Sequence, residues 1–176
     1  MPNYSDPDHS RALEEAATQV KVTDLAYLRR CVDLATQAVE QGDEPFGSIL
    51  VDRTGRELFA DHNRVSGGDQ TQHPEFAIAR WAAQHLTPAQ RAVATVYTSG
   101  EHCPMCAAAH AWVGLGRIVY ASSSEQLQTW RSEWGLEPGP VAALPINEIA
   151  PNVPVAGPDP QRSEEVRTLH ARLHNI

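Results

Sequence analysis

Four residues have the types and spacing needed to hold a metal ion and move a proton: His73, Glu75, Cys103 and Cys106. Cysteines three positions apart on a helix face the same way, so one metal ion can take both sulfurs. Helix N-termini also favour thiolates, because unpaired N–H groups and the helix dipole stabilise negative charge. With His73 as a third ligand, zinc keeps one position open for water, which is typical of a catalytic site. Glu75 can approach that water without ligating and can pass on its proton.

Each half of this pattern is weak by itself. With eight histidines and 22 acidic residues, a lone His-x-Glu arises readily by chance. A lone Cys-x-x-Cys also occurs in redox proteins, although no thioredoxin-like context surrounds this one. Cys31 lies far away in sequence, on the apolar face of a predicted helix, and we interpret it as a buried core thiol. The odd number of cysteines argues against a disulfide framework.

The elements that must position these residues are those of an α/β domain. The periodicity predicts, in order, a helix over 24–41, strands over 46–52 and 57–62, a helix over 73–86, a strand over 92–98, a helix over 103–113 and a strand over 117–121. Pro74 and Pro104 each suit the first position of a helix, where no N–H is needed. Because each ligand-bearing helix follows a strand, neighbouring parallel strands would bring the two helix starts together at one edge of the sheet.

The ends of the chain carry weaker signals. We predict that residues 1–22 form a polar extension, with one short helix over 11–20, and that residues 23–176 form a single domain. Trp130 and Trp134 lie in an uncertain helix or loop, a short edge strand is predicted over 153–156, and a last helix over 163–174.

Length and charge limit the classes of partner. The chain has 176 residues, a formal net charge of −8 and a single lysine, Lys21. Nucleic-acid binding normally depends on basic side chains that neutralise phosphates, so we expect no nucleic-acid partner. No apolar run approaches the length of a membrane span, and the first ten residues, with two Asp, a His and two Pro, do not resemble a signal peptide. We therefore expect a cytoplasmic protein with no membrane partner.

The two motifs together resemble the cytidine/deoxycytidylate deaminase superfamily, whose signature is His-x-Glu followed by Pro-Cys-x-x-Cys. Residues 97–106 are similar to the guanine deaminase and tRNA adenosine deaminase branch, and so are Pro45-Phe46-Gly47 and Asn63. The resemblance covers about residues 24–121. It implies a three-layer α/β/α sandwich with a mixed five-stranded sheet, one zinc ion per chain, and a homodimer whose subunits share their pockets.

The resemblance also implies roles for five residues near the metal. Asn63 would hydrogen-bond the substrate ring, and Phe46 with Gly47 would form one wall of the pocket. Trp112 matches an aromatic position near the pocket of guanine deaminases, and Glu133 lies where they carry an acidic substrate contact. Each of these residues could instead have a purely structural role. Asn63 could be a turn residue, Phe46 and Gly47 could pack the start of a strand, Trp112 could belong to the core or a dimer interface, and Glu133 could be a solvated surface acid.

Two positions depart from this branch. His102 stands where the branch has proline before the first cysteine, and Pro74 stands where it has a residue with a backbone N–H. Because proline cannot donate a hydrogen bond, any substrate contact made through that amide is lost. His102 and His110 are interpreted as groups behind the metal ligands or at the surface.

These observations predict a zinc-dependent hydrolytic deaminase that converts an exocyclic amine of a free nucleobase to the oxo form. The substrate would be guanine, cytosine or a related purine, pyrimidine or triazine. Deamination of adenosine in tRNA is the alternative reaction, and a non-catalytic zinc-stabilised binding module is the alternative class. Glu75 argues against the binding module, because a structural site needs no acid beside an incomplete ligand set.

Overall fold

The computed structural model describes residues 18–176. Its strands are β1 (Gly47–Val51), β2 (Glu57–His62), β3 (Thr95–Gly100), β4 (Ile118–Ser122) and β5 (Val155–Ala156). Its α-helices are α1 (Leu25–Glu40), α2 (Pro74–His85), α3 (Pro88–Ala92), α4 (Pro104–Trp112), α5 (Ser124–Glu133), α6 (Ile146–Ile149) and α7 (Pro160–Leu173). Short 3₁₀ turns cover Val22–Asp24 and Val65–Gly67. Most of the predicted helix over 11–20 lies outside the described residues.

The five strands form one mixed sheet in the order β2-β1-β3-β4-β5. β1 is antiparallel to both β2 and β3, whereas β3, β4 and β5 run parallel to one another. The mixed five-stranded sheet is therefore confirmed. The strands β2 and β3, which precede α2 and α4, are parallel but not neighbours, because β1 lies between them. The start of β1 consequently lies at the same edge of the sheet as the ends of β2 and β3.

Helices cover both faces of the sheet, which confirms the three-layer arrangement. Side chains along a strand alternate between faces, so Ile49 belongs to the core shared with α1 and α7, while Leu50 belongs to the core shared with α2. On the first face, Leu28 of α1 joins the same apolar cluster as Val166 of α7. A third cluster joins α4 to α6 through Ala107 and Ile146.

Helices α3 and α6 were not predicted and α5 was one of two alternatives, although α3 and α5 each carry a recognisable start. Thr87 caps α3 and Ser123 caps α5, and in both cases a glutamine three residues later completes a reciprocal capping box. Helix α3 ends at Ala92, where we predicted the strand to begin, and β3 begins at Thr95 instead. The segment around Trp130, which the sequence left open as helix or loop, forms helix α5.

A buried ion pair connects the beginning of α1 to the sheet. Asp24 is 2% exposed and accepts hydrogen bonds from two guanidinium nitrogens of Arg117, each at 3.0 Å. The Tyr97 hydroxyl and the backbone N–H of Lys21 also donate to it, at 2.9 and 2.8 Å. Arg117 reaches the backbone oxygen of Gln19 as well, so part of the predicted N-terminal extension packs on the domain.

Within residues 18–176, no helix combines the length and apolar character that crossing a bilayer requires.

Candidate active site

The first two metal-ligand candidates occupy equivalent positions on two helices. His73 is the N-cap of α2 and Cys103 is the N-cap of α4, and each is followed by a proline at the first helical position. A residue before proline is pushed into extended backbone, which both adopt, with ψ of 137° and 166°. Each side chain therefore projects from the start of its helix.

The side chains of His73, Cys103 and Cys106 form a compact group, called the metal group below. Their candidate ligand atoms all lie within 4.8 Å of one another. The His73 Nδ1 atom lies 3.6 Å from the sulfur of Cys103 and 3.6 Å from that of Cys106. Tetrahedral zinc, with bonds of about 2.0–2.1 Å to nitrogen and 2.3 Å to sulfur, would hold these atoms about 3.6 Å apart. The nitrogen and sulfur spacing thus fits a zinc ion, and three ligands leave one position open.

The three groups also change one another's affinity for protons. The hydrogen bond with Cys103 raises the pKa of His73 to about 8, against the opposing effect of burial. The contact with Cys106 lowers the pKa of Cys103 to about 4, and the same contact together with burial raises the pKa of Cys106. Because metal ligands must be deprotonated, zinc binding here would displace protons from Cys106 and His73.

Glu75 is placed beside this group, in the first turn of α2, and is 5% exposed. One carboxylate oxygen, Oε2, lies 3.9 Å from the Cys106 sulfur. The other, Oε1, lies 3.1 Å from the Ser48 hydroxyl and 2.9 Å from the Thr98 hydroxyl. Burial raises the pKa of Glu75, partly offset by the charge of His73. Such a carboxylate is well placed to exchange protons with a molecule bound next to the metal group.

Asn63 is fully buried directly after β2. Its side-chain oxygen accepts a hydrogen bond from the backbone N–H of Val65 at 3.1 Å, so Asn63 does act as a turn residue. Its Nδ2 atom is buried without a hydrogen-bond partner among the described residues. A buried amide donor with no partner is costly, and a bound molecule with an acceptor atom would satisfy it.

Phe46 and Gly47 lie at the sheet edge that also carries the helix starts. The Phe46 ring fits against Gly100, where a Cβ atom would approach it to 2.7 Å, and packs edge-on against His170 of α7. A Cβ on Gly47 would instead approach the backbone oxygen of Cys31 and the Leu34 side chain to 2.4 Å. Glycine is thus required at position 47 by the close approach of α1. The predicted contact of both residues with substrate stays a prediction.

The structure does not bring Trp112 or Glu133 to the metal group of the same chain. Trp112 is the last residue of α4, at the opposite end from Cys103, and is 89% exposed. Nine residues of helical rise separate the two by about 13 Å along the axis. Glu133, at the end of α5, forms an exposed ion pair with Arg167 at 3.1 Å. Within one chain both residues therefore lie at the surface, and their predicted contacts with substrate stay predictions.

His102 and His110 are both 1% exposed and pack ring to edge with centroids 5.4 Å apart. Burial lowers the pKa of both, to about 4 for His110. Nε2 of His110 lies 2.7 Å from the backbone oxygen of Gly116. Neither ring nitrogen of His102 has a partner among the described residues. These histidines are therefore interior groups near the candidate metal ligands, and they are not at the surface.

Residues 21–122 match the family described as "Cytidine and deoxycytidylate deaminase zinc-binding region". The chain belongs to this family.

A probable cytosine deaminase of Schizosaccharomyces pombe is 38% identical over 114 residues, which are 64% of this chain and 68% of that protein. The guanine deaminase of Bacillus subtilis is 33% identical over 97 residues, 54% of this chain and 62% of that protein. A guanine deaminase structure from Nitrosomonas europaea covers 100% of this chain and 97% of its own, with a TM-score of 0.68 at 17% identity. This structural similarity shows that the two chains share a fold.

Family membership makes the chain an enzyme of the zinc-binding deaminase class. The motif residues lie inside the matched range, and α5, α6, β5 and α7 lie beyond it. Sequence reasoning missed Ser48 and Thr98, which contact Glu75, because their meeting depends on strand register and not on a local motif. It also missed His170, whose contact with Phe46 joins distant parts of the chain.

Proposed function

We propose that this chain binds one zinc ion through His73, Cys103 and Cys106 and hydrolytically deaminates a free nucleobase. The observation that carries the proposal is the buried Glu75 carboxylate beside a three-ligand group whose nitrogen–sulfur spacing fits zinc. A purely structural zinc site would be completed by a fourth protein ligand and would not need this acid. The cytosine and guanine deaminases among its relatives support a nucleobase as the substrate.

The reaction adds water to the ring carbon that bears the exocyclic amine and then breaks the carbon–nitrogen bond. Glu75 accepts a proton from the attacking water and delivers it to the adjacent ring nitrogen. It then takes the remaining proton from the added hydroxyl and passes it to the amine, which leaves as ammonia while the carbon–oxygen double bond of the oxo product forms. Zinc bound at the three ligands would supply the lowered water pKa that makes the attack effective near neutral pH.

Asn63 is the residue best suited to orient the ring. Its unpartnered Nδ2 atom can donate to a ring nitrogen or oxo group, while the hydrogen bond from Val65 fixes the amide orientation. A donor held in this way recognises an acceptor that a free base presents. Asn63→Ala should raise KM about five- to tenfold and leave the zinc content unchanged; unchanged KM would remove Asn63 from the substrate site.

Charge favours a free base over a base within tRNA. A groove of about 450 Å³ beside the loop from Asn63 to His73 is lined by Asp43, Asp69 and Arg64, together with Gln41, Ser66, Gly67 and Gln72. Arg64 is already paired with Asp61. Between residues 123 and 160 the sequence contains five acidic residues and one basic residue. Such a surface disfavours a polyanion.

The decisive experiment is a screen for ammonia release from free bases, nucleosides and triazines, run beside an assay for inosine in tRNA. We expect at least one free base to react with little dependence on salt concentration. Efficient tRNA editing with every free base inert would overturn the free-base proposal and leave deaminase chemistry intact. Ammonia from none of these substrates, tRNA included, would argue for the non-catalytic module.

Glu75→Gln tests the chemical role of the carboxylate. The amide keeps the shape but cannot accept a proton, so kcat should fall by about 10²- to 10⁴-fold with zinc retained. Zinc per chain, measured by elemental analysis, separates this result from loss of the metal. Near-normal turnover by this variant would refute the assigned mechanism.

We also propose a homodimer. Trp112 is 89% exposed beside an apolar groove of about 450 Å³ lined by α4 and the segment that follows α6. An exposed tryptophan next to such a groove is typical of an interface. Light scattering on the purified chain should give twice the monomer mass of 19.3 kDa, and Trp112→Ser should shift it towards the monomer. A monomeric wild-type chain would refute the dimer.

A further inference from the structure

Two hydroxyl groups on the central sheet lie outside the deaminase motifs but contact the carboxylate that those motifs provide. Ser48 on β1 and Thr98 on β3 are direct partners in the antiparallel ladder, so their side chains lie side by side on one face. Their oxygens are 2.8 Å apart, and both residues are fully buried. Leu50 and Val96, two positions along on the same face, pack in the cluster of α2. The two hydroxyls therefore face the helix that carries Glu75.

Both hydroxyls lie within hydrogen-bonding distance of the same oxygen of Glu75, and the Thr98 hydroxyl is also 2.9 Å from the backbone oxygen of Gly100. The Ser48 and Thr98 oxygens lie 3.1 and 2.9 Å from Oε1. Oε2 is turned towards the metal group, 3.9 Å from the sulfur of Cys106. The carboxylate thus has one oxygen held by the sheet and one facing the place where the reacting groups must meet.

The backbone of α2 cannot fix this orientation alone. The last torsion of a glutamate side chain is broad and roughly two-fold, so the carboxylate plane turns easily unless hydrogen bonds hold it. Hydrogen bonds to a charged group are stronger than neutral ones, and two of them on one oxygen define the plane. A proton-transfer group must stay in a narrow geometry to be effective.

We propose that Ser48 and Thr98 are positioning residues that clamp Oε1 of Glu75 and thereby aim Oε2 at the bound substrate and its attacking water. The proposal rests on the deaminase function proposed above. It differs from a simple role in folding, because a hydroxyl that only relieves the burial of a carboxylate would affect stability and not the chemical step.

The test compares kcat, KM and zinc content of Ser48→Ala and Thr98→Val with the wild-type, zinc-loaded chain, using the free base that releases ammonia fastest. Loss of one hydrogen bond to the carboxylate should lower kcat about ten- to hundredfold. KM should stay within about twofold, since substrate binding is not the property removed. Zinc per chain should not change. A fall confined to KM or to zinc content would overturn the proposal.

Two further variants separate positioning from packing. Thr98→Ser keeps the hydroxyl and should recover most of the kcat that Thr98→Val loses. Ser122→Ala removes an equally buried sheet hydroxyl, which donates to the backbone oxygen of Ser99 at 2.8 Å, and should keep wild-type kcat. Equal losses in Thr98→Ser and Thr98→Val, or in Ser122→Ala and Ser48→Ala, would reduce the hydroxyls to a structural role.

A second measurement, the orientation of the Glu75 carboxylate, does not depend on catalytic turnover. Crystal structures of zinc-loaded wild type and Ser48→Ala should show the Glu75 carboxylate rotated, or split between two orientations, in the variant. A single unchanged orientation would overturn the proposal. If the wild-type chain deaminates no base, the proposed function fails, and the crystallographic comparison still decides whether the hydroxyls position Glu75.

Discussion

Replacing Arg117 by leucine should show how much the ion pair with Asp24, which connects α1 to the sheet, contributes to the free energy of unfolding. Removing one partner of a buried pair costs about 3–5 kcal/mol, because the other charge remains buried and uncompensated. The Arg117 side chain is 15% exposed, and Asp24 keeps its hydrogen bonds from Tyr97 and Lys21. We therefore expect the lower end, a loss of about 3 kcal/mol in the free energy of unfolding.

Urea unfolding followed by circular dichroism at neutral pH measures this loss. The matched control is the double variant Asp24→Asn, Arg117→Leu, in which no charge is left buried. It should be more stable than Arg117→Leu alone, by about 1 kcal/mol or more. A loss below about 1 kcal/mol in the single variant, or a double variant less stable than the single one, would refute the reasoning.

The same pair predicts a pH dependence. Burial by itself would raise the pKa of Asp24, but the hydrogen bonds led by that from Arg117 outweigh it and lower the pKa below its ordinary value. A carboxyl with a lowered folded pKa contributes stability above its unfolded pKa and loses it as the pH falls through the folded value. The difference between wild type and Arg117→Leu should therefore be largest near neutral pH and should shrink below about pH 4.

Other substitutions test the metal group and its surroundings. Cys103→Ala should abolish zinc binding and activity together, and full zinc in that variant would show that the ligand is misassigned. Cys31→Ala should keep zinc and activity, because Cys31 lies on the buried face of α1, and elemental analysis with an ammonia assay checks both. Gly47→Ala should destabilise the fold by about 1–3 kcal/mol or more in urea unfolding, since its Cβ would overlap the backbone of α1; unchanged stability would refute that close approach. Pro74→Ala should change relative rates across a panel of bases, because it restores an N–H beside the metal group, whereas a uniform change in every rate would contradict this.

The local parts of the site were predictable from the sequence because each is written in adjacent residues. His73-Pro74 and Cys103-Pro104 each encode a helix start with a candidate ligand at its cap, and the structure places both residues at helix N-caps as expected. Nδ2 of Asn63 is buried without a partner among the described residues, and the substrate role that the resemblance implies for Asn63 stays a prediction.

The remaining features depend on contacts between distant residues. Nothing near Ser48 in the sequence indicates that strand pairing will bring it to Thr98 and Glu75. The surface position of Trp112 follows from the direction of α4, which carries it away from Cys103 along the helix axis. The sequence leaves α5 undecided between helix and loop for a different reason, since its capping box at Ser123 is local but its apolar residues are too few for clear periodicity.

The packing of α7 against α1 has a consequence for how the chain acquires its structure. About 120 residues separate the end of α1 from the start of α7, yet Leu28 and Val166 share one core cluster and Arg29 pairs with Glu165 at 2.7 Å. During synthesis, α1 therefore emerges from the ribosome long before the helix that covers it. Its apolar side remains open to solvent, or to a chaperone, while the intervening sheet is made. Contacts between such distant segments form slowly, so this face of the molecule should be the last to become native and the first to aggregate when folding stalls.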